Sequence, residues 1–186
     1  MRSSSGLDRS CGKADIMRDL RLVAKMSYCL AGAGRPVPMD VEFAMPKTGH
    51  CLCRAVQFEF EGDPVATFHC QCETCRRATS SPMTTWLTVA KAGFRFIKGA
   101  PAYYGSSPGV RRGFCTTCGS PLSYENDKMP KEIDLYAAAL NDPTAVAPTR
   151  HVFAREQLPW FEVHDTLPRY ATTMRGGDPP VRHGPK

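Results

Sequence analysis

Residues 114–120 read Phe114-Cys115-Thr116-Thr117-Cys118-Gly119-Ser120, or FCTTCGS. A C-x-x-C closed by glycine has the form of a zinc knuckle. The chain turns back so that two thiolates converge, and Gly119 supplies a backbone conformation costly for other residues. A knuckle gives two ligands and a tetrahedral ion wants four, so the other half must lie elsewhere in the chain. Two further tight groups precede it: Cys51-x-Cys53, in GHCLCRAVQFE at 49–59, and Cys70-x-Cys72-x-x-Cys75, in CQCETCRR at 70–77. Residues i and i+2 of a strand share a face, so Cys51 and Cys53, read as strand residues, present two thiolates side by side.

Seven of the nine cysteines therefore fall into three groups, and seven ligands divide into four plus three. Cys51, Cys53, Cys115 and Cys118 make a closed structural site that staples segments more than sixty residues apart. Cys70, Cys72 and Cys75 are local enough to bind a second ion alone. They leave its fourth position open, which is the mark of a catalytic zinc. The expectation is two Zn(2+) per chain. Disulfides are disfavoured because C-x-C is too close for an easy bridge and no secretory signal is legible. An iron-sulfur cluster lacks its usual four-cysteine run.

Around these groups the chain reads as β-strands with short turns. Val56, Phe58 and Phe60 alternate with polar neighbours, and short runs recur at 84–89, 94–98, 102–104, 113–115, 121–124 and 133–137. Glycine and proline clusters punctuate them, and only two short helical pieces are expected, one starting near Cys75 and one over 142–146. The fold class is thus all-β with short helices. At 186 residues the chain fits one domain plus tails, and mean hydropathy is −0.33. No run approaches the roughly 18 apolar residues of a membrane-spanning helix.

The division places a flexible leader at 1–45, a zinc domain at 46–170 and a disordered tail at 171–186. Acidic residues among the basic ones argue against a secretory signal in the leader, so cytoplasmic residence is expected. Internal methionines Met39 and Met45 offer alternative starts to Met1. Cys11 and Cys29, in the leader, read as free thiols. The formal charge of +6 is shared evenly, +2 in each segment, with no basic arm; nucleic acid and membrane are therefore not expected partners.

The strings GHCLCRAVQFE, CQCETCRR, FCTTCGSPL (114–122), LNDP (140–143) and LPWFEVHDTLPRY (158–170) resemble, in order and spacing, the glutathione-dependent formaldehyde-activating enzyme family, which also includes the centromere protein V domain. The resemblance implies a zinc-stapled Mss4-like, or β-tent, architecture. It assigns a structural zinc to the C-x-C and distal C-x-x-C, and a catalytic zinc to the middle triplet. Two positions depart from the family pattern: Arg54 stands where glycine is common, and Gln71 where histidine is common.

Three thiolates leave a bound Zn(2+) with a net charge of −1, which makes it a weak Lewis acid but a good holder of a substrate thiolate. The expected reaction is at a carbon–sulfur bond, such as glutathione plus formaldehyde giving S-(hydroxymethyl)glutathione. The alternative is a non-enzymatic zinc scaffold that binds a protein partner. Arg76 and Arg77, just after Cys75, are candidates for the substrate carboxylates. Arg111 and Arg112 read chiefly as surface charges. Trp86 and Trp160 read as core or wall, and His50 and His69 as supports for neighbouring ligands. His151 and His164 read as packed or solvated.

Overall fold

The computed structural model describes residues 45–173. The leader before Met45, with Cys11, Cys29 and Met39, and the tail after residue 173 lie outside the described residues. Ten strands follow in order: β1 (Lys47–His50), β2 (Gln57–Phe60), β3 (Ala66–Cys70), β4 (Thr84–Ala90), β5 (Phe94–Lys98), β6 (Ala102–Ser107), β7 (Val110–Phe114), β8 (Pro121–Asn126), β9 (Glu132–Tyr136) and β10 (His151–Val152). One short helix, α1 (Glu73–Thr79), lies between β3 and β4. The architecture is β-rich, as the alternation and turn chemistry indicate, and among the described residues no helix is long and apolar enough to cross a membrane.

Two sheets form. Strands β1, β2 and β5 make an antiparallel three-stranded sheet, and the rest make a seven-stranded sheet ordered β10-β3-β4-β9-β8-β7-β6, in which only the β10–β3 pair is parallel. Successive strand residues face opposite ways, so the central strand β4 serves two cores. Leu87 and Val89 join Phe58 and Phe60 of β2 and Ile133 and Leu135 of β9 in the main core. Trp86 faces the other way and packs with Tyr136, Cys70 and Cys75 in a second cluster that α1 covers. Phe58, Phe60, Leu87 and Leu135 are fully buried, each contributing about 2 kcal/mol by removal from water.

Several local expectations change. Strand β1 ends at His50, so Cys51 and Cys53 sit in a turn rather than on a strand. The Arg54 N–H donates to Cys51 O at 2.9 Å, closing a knuckle like that at Cys115. The helical piece expected over 142–146 is a single 3-10 turn, Pro143–Ala145, capped by Asp142 Oδ1 accepting from the Thr144 N–H. Strands β1, β3 and β10 lack clear alternation in sequence. They are strands because neighbours pair with them: His151 lies beside His69, and Val152 beside Cys70.

Candidate metal centres

The first cysteine group forms where two turns meet. The Cys51 N–H donates to Val56 O at 3.0 Å across the β1–β2 connection, and the Cys115 N–H donates to Ser120 O at 2.9 Å across the β7–β8 connection. The two turns are tied by the Leu52 N–H, which donates to Ser120 Oγ at 3.0 Å. Gly119 has φ +75°, the left-handed conformation expected of the knuckle. The sulfurs of Cys51, Cys53, Cys115 and Cys118 all lie within 4.8 Å of one another. Cys51–Cys53 is 3.6 Å and Cys53–Cys115 is 3.8 Å.

Metal–sulfur bonds of about 2.3 Å in a tetrahedron put sulfurs roughly 3.8 Å apart, whereas a disulfide needs about 2.05 Å. The four sulfurs therefore fit a zinc ion and are not bridged. A hydrogen bond from the Ser120 hydroxyl, reinforced by the backbone N–H groups of Ser120 and Cys53, pulls the Cys118 thiol down to about 5 and favours its thiolate.

The second group is built from one strand end and one helix start. Cys70 ends β3, Cys72 caps α1 with its sulfur accepting from the Cys75 N–H at 3.4 Å, and Cys75 lies in the first turn. The three sulfurs lie within 4.8 Å of one another, and Cys70–Cys72 is 3.4 Å. Hydrogen bonds from the Cys70 and Cys75 thiols, with help from the Thr74 hydroxyl and the Cys75 N–H, outweigh burial and hold the Cys72 thiol well down. Cys70, hydrogen-bonded to Cys72 and Cys75 and buried, is pushed up in return. Thiolate character concentrates on Cys72, the half-buried member. Among the described residues no histidine or carboxylate joins this group, so three protein sulfurs could hold an ion with one position left over.

His69 does not supply a fourth ligand. Its Nδ1 is 2.9 Å from Thr85 Oγ1, and its ring lies against His151 with centroids 4.9 Å apart. His50 Nδ1 contacts Cys51 O at 2.7 Å. Gln71 and His151 are fully buried, and the Gln71 amide Nε2 meets His151 Nδ1 at 3.2 Å. His151 Nε2 meets Asp165 Oδ2 at 2.8 Å, and Arg169 Nη2 donates to Asp165 Oδ1 at 3.2 Å. Gln71 thus anchors the loop between Cys70 and Cys72 to the segment carrying Asp165 and Arg169.

The two candidate substrate arginines differ. Arg76 Nη1 donates to Gln71 O at 2.7 Å and also to Glu156 O, so it braces the loop around α1. Arg77 is exposed and pairs with Glu73 at 2.8 Å, one helical turn away. Both border a surface hollow of about 310 Å3 with Ser80, Ser81, Leu158 and Trp160. Trp160 is 70% exposed and forms wall rather than core, whereas Trp86 is buried. A second cleft, of about 510 Å3, runs from Leu52 and Ser120 past His50, Thr85 and Leu140 to Tyr136. Tyr136 is shared: it also packs on Trp86, centroids 4.2 Å apart, in the cluster holding Cys70 and Cys75.

Sequence reasoning placed Arg112 on the surface, but it is half-buried on this same side of the sheet. Only the β7 register, which sends Arg111 outward, turns it inward.

The sequence profile of glutathione-dependent formaldehyde-activating enzymes matches residues 46–156. The chain belongs to that family. An uncharacterized lyase of Schizosaccharomyces pombe is 32% identical over 90 residues, which is 47% of this chain and 65% of the relative. The match thus spans less than two thirds of that relative's length. A solved protein of Rhodobacter sphaeroides is similar at 23% identity and a TM-score of 0.47, over 56% of this chain and 99% of the other. The family match covers all seven clustered cysteines and stops short of Asp165 and Arg169.

Proposed function

We propose that this family member is a zinc-dependent carbon–sulfur lyase acting on thiol adducts of small aldehydes, with S-(hydroxymethyl)glutathione, formed from glutathione and formaldehyde, as the type substrate. The observation that carries the reading is the count at the second site: three converging sulfurs and no fourth protein ligand among the described residues. Cys51, Cys53, Cys115 and Cys118 would hold a structural zinc, and Cys70, Cys72 and Cys75 a catalytic one. A zinc held by three thiolates supplies a site at which a substrate sulfur is kept as thiolate near neutral pH.

The chain's own residues supply position and selectivity. Cys72, at the helix start and partly open, and buried Cys70 and Cys75 fix the three sulfurs on rigid elements. Trp86, Tyr124 and Tyr136 wall the site against water on the sheet side. Arg77, exposed and paired with Glu73 through Nε, is the cation we assign to a substrate carboxylate, with Arg76 setting the loop beneath it. In the forward sense the thiolate sulfur forms a bond to the aldehyde carbon, the carbonyl π pair moves to oxygen, and the proton released by the thiol ends on that oxygen. The reverse breaks the same bond.

Metal analysis together with exchange spectroscopy tests this. Two zinc ions per chain and an NMR-detected acceleration of formaldehyde exchange with glutathione are expected. Zinc-loaded protein that neither binds glutathione nor speeds the exchange removes the assignment and leaves a zinc scaffold.

A further inference from the structure

Strand β7 carries two adjacent arginines with opposite fates. Arg111 points outward, donates to Glu125 Oε2 at 2.9 Å and lies over the Tyr103 ring, 4.6 Å from its centroid. Arg112 points to the other face, with its guanidinium over the Tyr124 ring at 4.9 Å. Its Nη1 is buried and has no hydrogen-bond partner. Among the described residues it forms no ion pair with a carboxylate. A half-buried guanidinium with one nitrogen sealed from water and unpartnered is disfavoured without a counter-charge, so the charge that balances Arg112 comes from another class of group.

The surroundings supply one. Tyr124 and Tyr136 pack in the cluster that contains Cys70 and Cys75. Burial works against the charge on Arg112, and the adjoining Cys75 sulfur and Tyr136 hydroxyl more than offset it. We propose that Arg112 is the counter-ion of the three-cysteine site, cancelling one thiolate charge so that the site accepts a fourth, anionic sulfur. This rests on the thiol-binding reading above and adds to it what sets the ligand class.

The charges decide the matter. A dication with three thiolates sums to −1, and the guanidinium beside Cys75 brings the assembly to zero. An arriving thiolate then meets a neutral site instead of an anionic one. A neutral ligand gains nothing from this, so Arg112 selects for anionic sulfur instead of tightening all ligands alike. It is a positioning residue that acts through Cys75. At an effective dielectric near 20, a unit charge roughly 7 to 10 Å away changes binding by roughly ten- to a hundredfold.

The full chain loaded with cobalt(II) is titrated with 2-mercaptoethanol and, separately, with imidazole, and the ligand-field bands report occupancy of the open position. For Arg112→Gln the thiol should bind about ten- to a hundredfold more weakly while imidazole stays within about threefold of wild type. Arg112→Lys, which restores the charge, should recover most of the thiol affinity. Unchanged thiol binding in Arg112→Gln, or equal weakening of thiol and imidazole, overturns the counter-ion role. Should Arg112→Gln fail to take up cobalt, Arg112→Met decides alone: a lost preference for thiol over imidazole supports the role, and a wild-type preference overturns it. A wild-type protein blind to thiols overturns the lyase reading and this inference together, an outcome distinct from a thiol-binding wild type with an unaffected variant.

Discussion

Arg54 holds φ +60°, a left-handed conformation that costs an L residue with a side chain about 1 kcal/mol or more. It stands directly after Cys53 in the first knuckle, where its N–H closes the turn on Cys51 O. The resemblance places glycine at this position, and the turn shows why. Arg54→Gly should stabilise the zinc-loaded protein by up to about 1 kcal/mol, after the greater unfolded-state freedom of glycine is subtracted. Denaturant titration at saturating zinc measures it, and a lower midpoint would mean that the arginine side chain holds the turn. At this scale the cysteines were legible because spacing alone brings ligands together within a knuckle or a helix turn. Arg112 was not, because its direction depends on the β7 register set beyond the Pro108-Gly109 turn, where Gly109 has φ +73°.

Among the elements, β2, β4, β5 and β9 announce themselves by alternation, whereas β1 has the polar sequence KTGH and exists through what packs on it. The Asn141 N–H donates to Thr48 O at 2.9 Å, and Gly49 is bridged to Leu140, so the LNDP segment docks along β1. A Cβ on Gly49 would stand 2.3 Å from Phe58 Cζ and 2.6 Å from Ala139 O. Gly49→Ala should therefore destabilise the fold by about 2 kcal/mol or more, through a fully buried ring and a backbone oxygen that cannot both move away. A thermal midpoint equal to wild type would show that β1 slides freely.

Strand β10 likewise depends on neighbours, and its buried His151 brings a pH dependence. Burial lowers the His151 pKa, only partly countered by the hydrogen bond to Asp165. As pH falls below the ordinary histidine value of about 6.5, the unfolded chain takes up a proton that the folded chain resists, so stability is present above that pH and lost below it. Denaturation between about pH 5 and 7 at fixed zinc occupancy should show this slope, and His151→Gln should flatten it. An equally steep slope in the variant would assign the acid sensitivity to other groups.

Across the whole molecule, the four-cysteine site joins a turn of the three-stranded sheet to a turn of the seven-stranded one. Cys51 and Cys115, each 1% exposed, belong to the same core cluster as Phe58 and Leu122. An ion there would hold the two sheets face to face. Structural zinc sites contribute on the order of 10 kcal/mol at neutral pH, comparable to the entire stability of an ordinary domain. The three-cysteine site, by contrast, gathers residues only five apart between one strand end and the helix it precedes, so it closes almost no chain. Chelation or Cys115→Ser should therefore abolish cooperative unfolding and the near-ultraviolet signal of Trp86. Cys72→Ser should instead leave a folded protein with one tightly held zinc and no thiol response. If Cys115→Ser unfolds at the wild-type midpoint, the sheets hold together without the metal. If Cys72→Ser collapses as well, both sites are structural, and the open position at Cys70, Cys72 and Cys75 has no catalytic meaning.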